Sequence, residues 1–129
     1  VLNALAGVVY LSWLGRQGAV DLAASIARRT HHARRTLAAV PGVHPLHDAP
    51  VAREFAVTLD APVDAVIERC AAEGINPGYA LGTDYPEYPN GLLVALTERR
   101  TAADIERLAD TLGRAVAAEG ALSTAEATR

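Results

Sequence analysis

The first 14 residues, Val1 to Leu14, are apolar except for Asn3, Ser12 and the half-polar Tyr10. A helix of that length, at about 1.5 Å per residue, is too short for a hydrocarbon core of about 30 Å. A helix apolar on every side is a buried one. A chain of 129 residues has too little other protein to wrap such a helix, so a further domain or a partner subunit is expected to cover the rest of it. Gly15 to Gly18 breaks the pattern. Ala19, Leu22, Ala23, Ile26, Ala27, Thr30, Ala33, Leu37 and Val40 then recur at helical spacing up to the stop Pro41-Gly42, while Arg28, Arg29, His32 and Arg35 mark the outer face.

After the stop the period changes. Val43 to Leu46 is a short strand candidate, His47-Asp48-Ala49-Pro50 has turn chemistry, and Glu54 to Leu59 alternates with Phe55, Val57 and Leu59 on one side. Pro62 to about Glu73 reads as a helix with Val63, Val66, Ile67 and Cys70 as its apolar stripe and Gly74 closing it. A loop with Tyr79, Tyr85 and Tyr88 ends at Asn90-Gly91. The unbroken run Leu92-Leu93-Val94-Ala95-Leu96 predicts a strand buried on both faces. Thr101 is placed as an N-cap with Asp104 three residues on, and Ile105, Leu108, Ala109, Leu112 and Val116 mark the last amphipathic helix. From about Glu119 the tail is expected to be disordered.

The order helix, helix, strand, strand, helix, strand, helix predicts a two-layer α+β domain, a small sheet with helices on one face. Residues 1–40 are expected to be the leading helices, 41–118 the α+β domain proper and 119–129 the tail.

Composition narrows the function. A net charge of -3 gives no bulk attraction to nucleic acid or anionic lipid, and the basic helix face has no interleaved aromatics, so it reads as a solvated face or an inter-subunit rim. His31 and His32 point in different directions on a helix, and with His44 and His47 they have no acidic or thiol partner at ligand spacing; no metal site is expected. Cys70 is alone and sits in the apolar stripe as a structural thiol. There is no methionine, and the opening run lacks a basic signal-peptide region, so the chain reads as the interior of a longer one. All 12 basic residues are arginine; without lysine no side chain here can form a Schiff base.

Leu2-Asn3-Ala4-Leu5, Tyr10-Leu11-Ser12-Trp13-Leu14-Gly15, Gly74-Ile75-Asn76-Pro77-Gly78-Tyr79, Asp84-Tyr85-Pro86-Glu87 and Leu92-Leu93-Val94-Ala95-Leu96-Thr97-Glu98-Arg99-Arg100-Thr101 together resemble the C-terminal part of subunit 1 of glycine dehydrogenase (decarboxylating), the P-protein family of the glycine cleavage system. The resemblance covers Val1 to about Val116. It implies a fold type I pyridoxal-phosphate enzyme whose large domain is joined by a long helix to a small C-terminal α+β domain, which makes residues 1–40 the connecting helices. It further implies a cytoplasmic heterotetramer with subunit 2, which supplies the Schiff-base lysine and so holds the pyridoxal phosphate. The family reaction decarboxylates glycine and passes the aminomethyl group to the lipoyl arm of the H-protein.

The resemblance leaves this chain, by itself, inactive. No catalytic residue is assigned. Glu98 and Arg99 stand at a strand end before a helix start, where ligand contacts collect in α/β folds, and are candidates for active-site or interface contact; Arg100 reads as local. Tyr85 lies on a loop expected to pack against another domain or subunit. Glu54, at a strand start, is a candidate contact with a structural hydrogen bond as its plainer role. The competing reading from another class is a free-standing small α+β ligand-sensing or interaction module.

Overall fold

The computed structural model describes residues 2–127. It contains α1 (Leu2–Ala38), β1 (Val43–Pro45), β2 (Glu54–Leu59), α2 (Val63–Ala72), β3 (Tyr79–Ala80), a 3-10 turn (Leu81–Thr83), β4 (Gly91–Ala95) and α3 (Ala102–Ala127). The strands form one antiparallel sheet in the order β1-β2-β4-β3.

Strand alternation decides which face is covered. Phe55 is paired with Val94, Val57 with Leu92, and Val43 with Leu59, so these side chains share one face and all are buried. Ala33 and Leu37 of α1, Val63, Val66 and Cys70 of α2, and Ile105, Leu112 and Val116 of α3 join them in a single core. Burying an aliphatic side chain of this kind contributes about 1.5–3 kcal/mol, so the inner row of the sheet and the stripes of three helices hold the two layers together. Ile75 N–H bonds the Cys70 carbonyl and Gly74 N–H that of Ala71, closing α2 as its sequence predicts.

Three expectations need correction, on β4, the helix break and the tail, while the exposure of the first apolar segment agrees with a helix that this chain is too small to wrap. β4 is not buried on both faces: Leu92 and Val94 are covered, Leu93 is half-buried and Ala95 exposed, because the core residues of α1, α2 and α3 gather on the Leu92–Val94 face and on the other face Leu81 covers only the Gly91 end. The break in the first helix is at Gly15 alone, whose φ of 64° and ψ of −176° lie in a region closed to side chains, and the helix resumes at once. The apolar segment up to Leu14 is not covered by this chain: Leu2 is 81% and Trp13 80% exposed, and every buried residue of α1 lies after Gly15. The tail from Glu119 continues α3 to Ala127, tied down by an ion pair between Arg69 and Glu119; residues 128–129 lie outside the described part. The two-residue β3 is an element that the sequence did not announce.

Thr30 is fully buried on α1 and its hydroxyl has no partner. An orphaned hydroxyl in the core costs about 1–3 kcal/mol, whereas an isosteric methyl does not. Thr30→Val is therefore expected to raise the unfolding free energy by about 1 kcal/mol, measured by urea titration.

Candidate functional site

At the β3 edge the sheet stops short, and a cavity of about 600 Å³ opens between β4 and the first turns of α3. Pro77 has no N–H to extend the ladder past Gly78, so the chain peels away from Val94 and Ala95. Gly78 has φ 153°, and a Cβ there would stand 2.2 Å from the Leu93 carbonyl oxygen. Only glycine permits that approach. Asn76 Oδ1 accepts the Gly78 N–H at 3.2 Å and fixes the turn. Ile75, Leu96, Ile105 and Leu108 give the cavity an apolar floor, while Glu54, Tyr79, Arg100, Asp104 and Arg107 stand at its rim.

The start of α3 carries the capping pattern its sequence predicts. Asp104 N–H donates to Thr101 Oγ1 at 3.2 Å, and Asp104 Oδ2 accepts from the Thr101 N–H at 2.8 Å and from its hydroxyl at 2.9 Å. The backbone hydrogen bond from Thr101, then its hydroxyl, hold the Asp104 carboxyl below its ordinary range. Tyr79 donates its hydroxyl to Asp84 at 2.9 Å, which raises the phenol. The rim thus has one acid moved down and one phenol moved up, away from the neutral range in which general acid–base catalysis works. Arg107 donates to the Glu73 carbonyl at 3.1 Å, and Arg53 holds Glu54 through Nε and Nη2 at 3.1 and 3.0 Å. Arg100 and Arg107 also add their positive charge beside Asp104. The cavity has binding chemistry at its rim and no nucleophile with a base.

Of the residues singled out in the sequence, Glu54 and Tyr79 reach this cavity. Glu98 and Arg99 lie on the exposed turn between β4 and α3, where the Arg99 N–H donates to Thr97 Oγ1 at 3.3 Å, and Tyr85 is on the exposed loop after the 3-10 turn; none of the three lines the cavity. Arg100, Asn76 and Arg107 do line it and were not candidates. The polar Gly-x-Asn-Pro-Gly turn was the one available signal. His44 pairs with Asp60 at 3.0 Å, His47 sets its ring edge-on to Tyr88, and no group of three or more metal-ligating side chains occurs among the described residues. Cys70 is buried, and loss of solvation raises its thiol pKa.

No family profile matches the chain. It is 41% identical over 112 residues to a protein from Nitratidesulfovibrio vulgaris named probable glycine dehydrogenase (decarboxylating) subunit 1, and 42% identical over 112 residues to its namesake from Geobacillus thermodenitrificans; each match covers 87% of this chain and 25% of the relative. Among solved structures, a glycine decarboxylase (P-protein) of the glycine cleavage system in inhibitor-bound form superposes with a TM-score of 0.80 at 32% identity, over 88% of this chain and 26% of that one. Over its matched length the chain belongs to the glycine dehydrogenase (decarboxylating) subunit 1 family. It spans about a quarter of the length of the relatives it matches. A C-DES mutant with glycine linked to its PLP cofactor shares the fold at a TM-score of 0.63 and 20% identity, over 74% of this chain.

That neighbour carries a PLP cofactor, but this domain's own donor set does not fit covalent attachment of one. Its cationic side chains are guanidinium and imidazole groups, and it has no lysine amine.

Two substitutions test the site's construction. Gly78→Ala should destabilise the domain by more than about 2 kcal/mol, because the clash is with backbone; thermal unfolding reads it. Asp104 has its carboxyl pKa lowered on folding, so its cap is complete above the unfolded carboxylate range and is lost as pH falls through the folded value. Protection of the first-turn amides of α3, relative to their intrinsic exchange rates, should fall as pH drops below the ordinary carboxylate range, and Asp104→Asn should abolish that dependence.

Proposed function

We propose that this chain is the C-terminal small domain of a glycine dehydrogenase (decarboxylating) subunit 1, with a structural and interface role in the assembled enzyme. The observation that carries the reading is the uncovered helix before Gly15: Leu2, Leu5, Val9 and Trp13 are each at least 60% exposed on a domain whose own core is closed without them. An apolar surface of that kind is a contact surface. In this reading subunit 2 supplies the Schiff-base lysine and holds pyridoxal phosphate, and the lipoylated H-protein accepts the aminomethyl group after glycine loses its carboxyl as carbon dioxide, in the cytoplasm. The lack of lysine in this chain is consistent with that division. No helix among the described residues is long and apolar enough to cross a membrane.

Co-expression with a matching subunit 2 tests it, with a purification tag on this chain, PLP absorbance as one readout and glycine–bicarbonate carboxyl exchange with H-protein as another. Stable co-purification is the expected result. Replacing Leu5 and Trp13 by arginine should weaken it by at least about tenfold, since aromatic and aliphatic anchors dominate interfaces. A well-folded chain that ignores subunit 2 would overturn the proposal in favour of a free-standing α+β module.

A further inference from the structure

We propose that the outer face of α1 between Arg28 and Arg35 is a docking surface for an acidic protein. The buried residues Thr30, Ala33 and Leu37 fix which side of α1 faces the core. At about 100° per residue, Arg28, His31, His32 and Arg35 lie on the opposite side. All four are exposed, and none of their side chains has a hydrogen-bond or ion-pair partner among the described residues.

Most other arginines are engaged. Arg53, Arg69 and Arg114 are ion-paired with Glu54, Glu119 and Glu73. Arg34 donates to the carbonyls of His47 and Ala49 beside Asp48, Arg29 to Ser25, and Arg107 to the Glu73 carbonyl. Of the described arginines left without a partner, Arg16, Arg28 and Arg35 lie on α1 and Arg99 on the turn before α3, so α1 carries most of the unpaired positive charge and steers an acidic surface toward it.

Two other occupants fit less well. The exposed carboxylates Asp64 and Glu68 on α2 and Glu106 and Asp110 on α3 also lack ion-pair partners among the described residues, so a second copy could set its α2–α3 face on this α1. That contact joins different surfaces and generates rings or filaments rather than a closed dimer. A nucleic acid would meet a stripe with no aromatic for base stacking, on a chain of net charge -3. The surface lies beyond Gly15 from the apolar segment, so its failure would leave the subunit 2 interface standing.

The probe is poly-L-glutamate, titrated against the whole chain at low ionic strength by fluorescence, with a DNA duplex as contrast. Expected are tighter binding of polyglutamate than of DNA, weakening with added salt, and a loss of at least about tenfold in Arg28→Glu/Arg35→Glu. Arg16→Glu, which reverses an exposed arginine on another side of the same helix, should change affinity by less than about threefold. Circular dichroism checks each fold, and Arg28→Gln/Arg35→Gln takes the place of the reversal if that variant unfolds. Unchanged binding in the double variant, an equal loss in Arg16→Glu, DNA bound more tightly than polyglutamate, or concentration-dependent filaments of the chain alone would overturn the proposal.

Discussion

Everything ordered in this domain depends on one sheet face being covered by three helices. The row Val43, Leu59, Val57, Phe55, Leu92 and Val94 is contiguous only in the observed register, and a slip of one residue would turn it toward the open face. α3 packs against both α1 and α2 and so closes the helical layer. The Thr101–Asp104 cap therefore does more than satisfy a helix end: it fixes where α3 begins, and with it the position of Ile105 over the core. The Glu119–Arg69 ion pair ties the far part of the same helix to α2.

Where periodicity and capping chemistry act locally, the sequence is readable. The alternation of Glu54–Leu59 gave β2 its observed bounds, and the Val63-Val66-Cys70 stripe and Thr101/Asp104 placed two helices within a residue or two. The readings that failed depend on what lies across space. An apolar run such as Leu92–Leu96 looks the same whether one face or two are covered, and β3 is too short to show a period. The α3 tail is held by a contact 50 residues away in sequence, which no local signal contains.

The same division applies to the candidate site. Glu54 could be picked from its place at a strand start, but Arg100 is brought to the cavity by the turn that Thr97 initiates, and Asn76 and Gly78 by a backbone approach that requires a glycine. Glu98 and Arg99 belong to the most distinctive local motif and yet sit outside the cavity. A motif identifies a family more readily than it identifies which of its side chains share a space.

Gly15 separates two kinds of surface on one helix. After it, α1 is amphipathic in the ordinary way, with Thr30, Ala33 and Leu37 inward and charges outward, and its burial is completed within this domain. Before it, no side is polar enough to be left in water, so orientation toward the core could not have satisfied the segment whatever the angle of approach. The mirror-image backbone at Gly15 removes the requirement that both halves share one axis: the second half can be set by the sheet and the first by whatever it contacts. An alanine at this position would keep helical propensity but lose the corner, so the glycine is explained by the direction of the helix and not by packing, since nothing lies within 4 Å of where its Cβ would be.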